Sequence, residues 1–325
     1  MKHLLKMSDL TPDEVAHILD VADELKAQQK AGGTEPLLKG KSVALMFSKN
    51  STRTRTSFEV GVYQLGGLGN YMNAATELQS GRGEPLKDTA RVLGRMYDGI
   101  EYRGFSQDLV QELSDYAGVP VWNGLTDQFH PTQMLADIMT AREEFGDMRG
   151  RKLTFFGDAR NNVANSLMVV CAKLGMHFCA CGPKELMPED WLIEKCQAVA
   201  AETGAVLEFT DDVAVGARDC DVLYTDIWLS MGEPAELWEK RIKLLRPYQV
   251  NKEVMAMAKP TAIFEHCLPS FHDTRTTIGA DIAKKFGITE MEVTDQVFES
   301  KQSVVFDEAE NRMHTIKAVI YATLH

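Results

Sequence analysis

Five consecutive residues that carry hydrogen-bond donors, Ser51-Thr52-Arg53-Thr54-Arg55, follow a short apolar run. The pattern predicts a buried strand, a loop and the first turn of a helix. A helix N-terminus binds anions because its N–H groups are unpaired and carry partial positive charge. Hydroxyls and guanidiniums add further donors and full charges. The segment therefore predicts a phosphate site, although a polar helix cap with solvated arginines has the same pattern. It is not a Walker loop, since GxxxxGK[ST] is absent.

A second polar segment, His130-Pro-Thr-Gln133, is predicted to link a strand to a helix with proline in its first turn. A histidine there can donate to a carbonyl, and a glutamine can bind an amide. Arg103 ends a predicted strand at 99–103. Each residue alone is typical of a structural position. The carboxyl ends of parallel strands share one edge of a sheet, however, so His130 and Arg103 are predicted to lie near Ser51.

The second half of the chain has two similar segments. Gly157-Asp-Ala-Arg-Asn-Asn162 occupies a strand-to-helix turn where dinucleotide-binding folds have GxGxxG, and its absence disfavours NAD binding. Asp158 and the asparagines are either helix caps or partners for an ammonium or a carboxylate. Asp226 begins a segment that ends at Gly232, and a carboxylate at a strand end suits a bound zwitterion as well as it suits a turn.

His266-Cys267-Leu-Pro269 stands at another predicted strand end and invites a thiol-nucleophile hypothesis. Adjacent residues on a strand point to opposite faces, so Cys267 and His266 are not expected to act as nucleophile and base. Arg312 lies in the first turns of a C-terminal helix, predicted from about Glu308 to Leu324, and either enters the site or is solvated.

Strand and helix patterns alternate along the chain, which predicts parallel sheets with right-handed crossovers. The alternation restarts after a hinge-like stretch at 146–150. We therefore expect an α/β fold of two doubly wound parallel-sheet domains with an active-site cleft between them. The helix pattern that begins at Pro85, before the predicted strand at 99–103, is predicted to run to about Asp98.

The chain has 325 residues and a formal net charge of −12, with 44% hydrophobic residues. This composition is typical of a globular protein and argues against a basic nucleic-acid-binding face or a polybasic membrane anchor. No apolar run approaches the ~20 residues that a membrane-spanning helix needs. Six cysteines form no CxxC pair, and no signal peptide is recognisable, so we expect reduced thiols and a cytoplasmic location.

Together, these segments resemble one family, the aspartate/ornithine transcarbamoylases, from about residue 40 to the C-terminus. Ser-Thr-Arg-Thr-Arg and His-Pro-Thr-Gln are family signatures for carbamoyl phosphate. Asp226 with Ser230-Met231-Gly232, and His266-Cys-Leu-Pro269, are signatures of the ornithine branch. The resemblance implies reversible transfer of a carbamoyl group from carbamoyl phosphate to the δ-amine of L-ornithine, giving citrulline and phosphate. This reaction serves arginine biosynthesis or the arginine deiminase pathway, and it requires no metal or cofactor.

The resemblance also implies roles for individual residues. The residues implied in carbamoyl phosphate binding are Ser51, Thr52, Arg53, Thr54, Gln79, Arg103, His130, Gln133, Cys267, Leu268 and Arg312. Those implied in ornithine binding are Asn162, Asp226, Ser230 and Met231. The implied catalytic residues are Arg53, Arg103, His130 and Cys267.

Domain organisation and assembly are implied in the same way. Residues 1–147 would form the carbamoyl-phosphate-binding domain, with the terminal helix 308–325 packed back on it, and 148–307 the ornithine-binding domain. Gln79 matches a family residue donated to a neighbouring subunit, which implies a homotrimer or a multiple of a trimer.

Several alternatives remain open. Aspartate, putrescine and acetylornithine carbamoyltransferases are related enzymes, but the Ser-Met-Gly and His-Cys-Leu-Pro segments favour ornithine. A Rossmann oxidoreductase is disfavoured by the missing GxGxxG. A non-enzymatic scaffold of the same fold is disfavoured because Arg53, His130, Asp226 and Cys267 are all retained.

Overall fold

The computed structural model of the protein describes residues 1–78, 83–230 and 232–325. The chain divides into two compact units. Unit 1 comprises Met1–Met139 and Ala309–His325, and unit 2 comprises Thr140–Glu308. Each unit contains one parallel β-sheet, as expected for the predicted α/β class.

Unit 1 contains the first half of the elements. Its strands are β1 (Ser42–Phe47), β2 (Leu68–Asn73), β3 (Gly99–Arg103) and β4 (Val121–Leu125). Its helices are α1 (Pro12–Lys30), α2 (Thr52–Gln64), α3 (Leu86–Leu93), α4 (Gln107–Ala117) and the start of α5 (Pro131–Phe145). Helix α1 begins with a capping box, in which the Thr11 hydroxyl accepts from Glu14 N–H and the Glu14 carboxylate accepts from Thr11 N–H.

The sheet of unit 1 has the order β2-β1-β3-β4, and all its strand pairs are parallel. The strands β3 and β4 are buried throughout, whereas the edge strand β2 is largely exposed or half-buried. Burial along β3 and β4 is thus that of strands covered on both faces, as in parallel sheets generally. The first crossover leads from β1 outward to β2, and the next strand, β3, lies on the other side of β1, so the topological switch point is between β1 and β3.

Unit 2 contains the remaining elements. Its strands are β5 (Lys152–Phe156), β6 (His177–Cys181), β7 (Val206–Thr210), β8 (Val222–Thr225) and β9 (Ile263–Glu265). Its helices are α6 (Asn162–Leu174), α7 (Asp190–Thr203), α8 (Val213–Ala217), α9 (Trp238–Leu245), α10 (Lys252–Met257), α11 (Thr277–Phe286) and α12 (Asp295–Phe298). The last helix of the chain, α13 (Val305–Leu324), begins in unit 2 and continues in unit 1.

The five strands of unit 2 are also parallel, in the order β7-β6-β5-β8-β9. The switch point lies between β5 and β8, which pair from Leu153↔Val222 to Phe156↔Thr225. These central strands are fully buried. The position where a doubly wound fold binds its ligands is therefore beyond Phe156 and Thr225.

Some predicted elements differ from the structure. Helix α3 ends at Leu93 rather than near Asp98, and Gly94 is its C-cap. Only glycine fits at this position, because a Cβ at Gly94 would lie 1.7 Å from the Ala117 carbonyl oxygen. The Asp98 carboxylate instead accepts the N–H of Ser42, which fixes the turn before β3. Helices α11 and α12 were not predicted.

The six cysteines are free thiols, as predicted, and only Cys267 among them is partly exposed. Within the described part of the chain, no helix has the length and apolar character needed to cross a membrane.

Candidate active site

The predicted anion-binding residues of unit 1 lie at the switch point of its sheet. Ser51 follows β1 and is the N-cap of α2, and its hydroxyl accepts the N–H of Thr54 at 3.1 Å. Arg103 is the last residue of β3. The sequence brings these groups together because the carboxyl ends of parallel strands lie at one edge of the sheet, where the N-terminus of α2 carries partial positive charge.

The Thr54 hydroxyl is bound by two guanidiniums. Its oxygen accepts from Arg103 Nη1 at 3.3 Å and from Arg312 Nη2 at 3.0 Å. A hydroxyl that accepts two N–H donors still has its own proton to donate. Thr54 thus carries a donor on an atom already held between two cations, which suits a phosphate oxygen.

Arg312, on α13, is 2% exposed and connects α13 to the His130–Gln133 segment. Its guanidinium donates to Gln133 Oε1 and, at 3.1 Å, to Thr132 Oγ1. Gln133 in turn donates from Nε2 to Asp137 Oδ1 at 2.7 Å, which orients the amide. Arg312 is therefore buried within unit 1 and is not a solvated residue of the helix surface.

His130 is 4% exposed, and its Nε2 lies 3.5 Å from Arg312 Nη1. Burial and the positive charges of three arginines lower the pKa of His130 well below its usual value. In order of effect these arginines are Arg312, Arg103 and Arg53. His130 is therefore neutral at physiological pH and can offer an N–H without adding another positive charge.

The remaining residues of the first segment differ in their surroundings. Arg53 is half-buried and acts electrostatically on His130, whereas Thr52 is exposed. Arg55 points elsewhere: it donates to Glu59 at 3.1 Å and its guanidinium lies 3.7 Å from the centre of the Tyr71 ring. Gln79 is outside the described residues.

Glu101 is a site residue that the sequence analysis did not identify. It lies on β3, two residues before Arg103 on the same face, and is fully buried. Burial raises the pKa of Glu101 well above its usual value, although the charges of Arg103 and Arg312 act against this. Gly124 leaves the room that it needs, since a Cβ there would lie 1.9 Å from Glu101 Oε1. The available signal was a carboxylate between Ile100 and Tyr102 in a predicted strand.

The switch point of unit 2 carries Asp226, directly after β8. Its Oδ1 accepts the thiol of Cys267 at 3.3 Å and the N–H of Ile227 at 2.8 Å. Its Oδ2 accepts from Asn161 Nδ2 at 3.2 Å. Burial raises the pKa of Asp226 from its usual value. The neighbouring predicted residue, Asn162, is the half-buried first residue of α6, and Asn161 caps that helix.

Ser230 lies in the loop after Asp226, and a chain of charges connects this loop to Asp158. The N–H of Ser230 donates to Glu233, whose other oxygen binds Arg241 Nη2 at 2.8 Å. Arg241 Nη1 also binds Asp158 at 2.6 Å. Asp158 is thus an ion-pair partner of Arg241, a role that was not predicted from the sequence. Arg241 and Glu233 were not identified from the sequence, and Met231 is outside the described residues.

Cys267 and His266 make separate contacts, as predicted, although both residues follow β9 rather than lie on it. The Cys267 thiol binds Asp226, whereas Nδ1 of His266 accepts the N–H of Leu268 at 2.9 Å. Leu268 has φ of +54° and precedes a cis proline peptide. The thiol has a carboxylate partner, so it is suited to orient a bound amine rather than to attack with His266 as its base.

Two groups of described residues bring three potential metal ligands together. Asp226, His266 and Cys267 form one, and His272, Asp273 and Asp295 form the other, each with its ligand atoms within 4.8 Å of one another. In the first group, Asp226 and His266 already accept protein donors.

Two family models match the chain. Residues 2–143 match the carbamoyl-P binding domain of the aspartate/ornithine carbamoyltransferases, and residues 149–323 match their Asp/Orn binding domain. Together these matches cover nearly the whole chain, and each lies largely within one of the two units.

Similar proteins cover the chain almost completely. A catabolic ornithine carbamoyltransferase of Treponema denticola is 59% identical over 323 residues, which are 99% of this chain and 95% of the relative. An ornithine carbamoyltransferase of Staphylococcus aureus is 54% identical over 325 residues, 99% and 97% of the two chains. The structure of Pyrococcus furiosus ornithine carbamoyltransferase has a TM-score of 0.89 at 44% identity and covers 98% of this chain and 96% of that one. The chain belongs to the aspartate/ornithine carbamoyltransferase family.

Proposed function

We propose that this protein is an ornithine carbamoyltransferase, which transfers the carbamoyl group of carbamoyl phosphate to the δ-amine of L-ornithine and releases L-citrulline and phosphate. The observation that carries the proposal is the Asp226 carboxylate, which accepts Asn161 and Cys267 at the switch point of unit 2. A carboxylate there suits an amine or ammonium, whereas a dicarboxylate substrate needs a cation. The names of the relatives at 54–59% identity support the same substrate.

Carbamoyl phosphate is assigned to the domain of residues 1–147 with the terminal helix. Ser51, Thr52, Arg53 and Thr54 bind the phosphate, and the partial positive charge at the N-terminus of α2 favours an anion there. Arg103, His130 and Gln133 bind the carbamoyl group. Arg312, which contacts Thr54 and Gln133, holds the two groups of residues together. Gln79 of a neighbouring subunit, together with Cys267 and the Leu268 backbone, completes the set.

Ornithine is assigned to the domain of residues 148–307. Asn162, Asp226, Ser230 and Met231 bind the amino-acid end of the substrate. The Cys267 thiol, held by Asp226, orients the δ-amine. The charge chain from Glu233 through Arg241 to Asp158 fixes the Ser230 loop relative to α6.

The reaction follows from these assignments. The uncharged δ-amine attacks the carbonyl carbon, and negative charge develops on the carbonyl oxygen. Arg53, Arg103, the neutral His130 and the Thr54 hydroxyl surround that charge with preorganised donors. The tetrahedral intermediate then collapses: the bond from carbon to the phosphate oxygen breaks, and the proton lost by the amine nitrogen leaves with the phosphate. Phosphate is a good leaving group, so the reaction needs no covalent enzyme intermediate.

Location and assembly are part of the proposal. The six free cysteines support a cytoplasmic enzyme, and the net charge of −12 disfavours nucleic acid or a membrane surface as a partner. The match of Gln79 to a residue shared between subunits supports a homotrimer or a multiple of a trimer.

A substrate panel tests the proposal. The purified protein is incubated with carbamoyl phosphate and ornithine, putrescine or aspartate, and citrulline and phosphate are measured. We expect citrulline and phosphate in equal amounts with ornithine, and little product with the other acceptors. If product formed with another acceptor instead, that acceptor would replace ornithine as the proposed substrate. If no product formed with any acceptor, the result would favour a scaffold without catalytic activity.

A further inference from the structure

Glu292 and His266 are two fully buried ionisable residues of unit 2 that have no role in the reaction proposed above. His266 directly follows β9, and Glu292 lies in the segment between α11 and α12. They are 26 residues apart in sequence, yet His266 Nε2 lies 3.3 Å from Glu292 Oε1. A buried carboxylate is costly unless it binds donors, so its partners indicate what it does.

Glu292 holds both ends of the segment from His266 to Phe271. The oxygen that faces His266 also accepts the Ser270 hydroxyl at 2.9 Å and the Phe271 N–H at 2.6 Å. Burial raises the pKa of Glu292, but the interactions with His266 and Phe271 N–H outweigh burial and leave it below the usual value. The carboxylate is therefore ionised. It accepts two hydrogen bonds from one end of the six-residue segment and lies within ion-pair distance of His266 at the other end.

His266 connects this carboxylate to the backbone after Cys267. Its Nδ1 accepts the Leu268 N–H at 2.9 Å, so in the neutral ring the proton is on Nε2, the atom that faces Glu292. Leu268 has φ of +54°, a left-handed conformation that is unfavourable for a residue other than glycine. A fixed acceptor on its N–H stabilises that conformation.

We infer that Glu292 and His266 are positioning residues for carbamoyl transfer: Glu292 orients the His266 ring, and the ring holds the Leu268 backbone, which keeps the Cys267 thiol on Asp226. Neither residue touches a substrate in this arrangement. The inference rests on the proposed function, in which Cys267 and the Leu268 backbone contact the substrates.

Glu292→Gln tests the orienting role because it keeps the shape and removes the charge. We expect kcat to fall about 10–100-fold, as is typical when a group that orients a site residue is lost, with the KM for ornithine raised. The KM for carbamoyl phosphate should change by no more than about twofold, since its main partners are in unit 1. His266→Asn retains an acceptor near Nδ1 and should lose less activity than His266→Ala.

Asp221→Asn is a matched control. Asp221 is another fully buried carboxylate of unit 2, but it precedes β8 and binds Lys152 N–H, Arg151 and Lys259. Its loss should lower the melting temperature and leave kcat and both KM values near those of the wild type. If Asp221→Asn reproduced the kinetic changes of Glu292→Gln, general destabilisation would explain them and the inference would be overturned.

The reactivity of Cys267 gives a readout that does not depend on turnover. The other five cysteines are buried, so reaction of the native protein with a disulfide reagent such as DTNB reports on Cys267. We expect Glu292→Gln to change this rate about threefold or more and Asp221→Asn to leave it unchanged. An unchanged rate together with unchanged kcat would refute the inference. If Glu292→Gln fails to fold, the same rate in His266→Asn and His266→Ala decides.

The two proposals can fail separately. A wild-type protein that makes no citrulline contradicts the proposed function, whatever the thiol rates are. A wild-type protein that makes citrulline, with Glu292→Gln equal to it in kcat and thiol rate, contradicts the positioning role alone.

Discussion

At the scale of single residues, the charges that favour phosphate in the proposed site also help to keep His130 neutral. Burial lowers the pKa of the His130 imidazole, and the charges of Arg312, Arg103 and Arg53 lower it further. The same three charges would attract a phosphate dianion. A neutral imidazole can donate to the carbamoyl oxygen as charge develops there, without the cost of holding another buried cation. Activity in the neutral range should therefore not follow protonation of His130.

Arg53→Ala and Arg55→Ala form a matched pair within one segment. Arg53 acts on His130, whereas Arg55 binds Glu59 and Tyr71. We expect Arg53→Ala to lower kcat by at least about 10²–10³-fold, the usual cost of removing a donor to a developing oxyanion. Arg55→Ala should retain activity within about threefold, because it removes only an exposed ion pair and a ring contact.

Citrulline formation at saturating substrate measures these effects, and thermal unfolding monitored by circular dichroism checks the fold. Both variants should melt near the wild-type temperature. Near-wild-type activity in Arg53→Ala would contradict the assignment of the phosphate site to this segment.

At the scale of elements, both candidate sites lie at the topological switch point of a parallel sheet, where the strand order reverses. This point is between β1 and β3 in unit 1 and between β5 and β8 in unit 2. This much was predictable, because short apolar runs mark the strands and the polar residues after them must reach the same edge. Contacts between distant residues were not. Arg241 binds Asp158 across 83 positions, and no local pattern encodes such a pair. Likewise, α11 was missed because its pattern is short and stands between long loops.

Ser51 is both the N-cap of α2 and a predicted phosphate ligand, and two substitutions separate these roles. Ser51→Ala should cost about 1 kcal/mol of stability through loss of the cap. Ser51→Asp retains a good cap and places a negative charge at the N-terminus, so stability should be kept while the KM for carbamoyl phosphate rises strongly. Thermal melts and substrate titrations measure the two effects. An unchanged KM in Ser51→Asp would show that the phosphate is bound elsewhere.

The buried His314 on α13 is expected to make the folded protein less stable in acid. Burial, followed by the charge of Lys317, lowers the pKa of His314 to about 4, with Glu310 acting in the opposite direction. In the unfolded chain this histidine has a pKa near 6.5, so it is protonated at a higher pH there than in the folded protein. Stability is therefore complete above pH about 6.5 and falls as the pH is lowered toward 4, by up to about 3 kcal/mol.

His314→Gln should remove this part of the pH dependence, so that its melting temperature falls less between pH 7 and 4.5 than that of the wild type. His17→Gln is the control, because His17 is exposed on α1. If the wild type and His314→Gln lost the same amount of stability over this range, the buried imidazole would not be the group responsible.

At the scale of the whole molecule, the charge of −12 averages over unlike regions. Residues 39–103 contain ten basic and six acidic residues, a net charge of +4, so the rest of the chain carries a net charge of −16. The composition argues against a nucleic-acid partner and gives no information about a small anion, because a phosphate site needs only a few converging cations. An acidic remainder would also attract cationic ornithine.

Assembly is the last property to test, and the match of Gln79 makes it measurable through activity. Light scattering should give a mass of three times 36.2 kDa, or a multiple of that mass. If each site uses its own Arg53 and a neighbour's Gln79, then Arg53→Ala and Gln79→Ala subunits should complement each other when co-expressed. In a randomly mixed trimer, about a quarter of the sites would have both residues intact. Co-expressed Arg53→Ala and His130→Ala subunits should stay inactive, because both residues belong to the same subunit's site. Equal inactivity of the two mixtures would mean that each subunit has a complete site of its own.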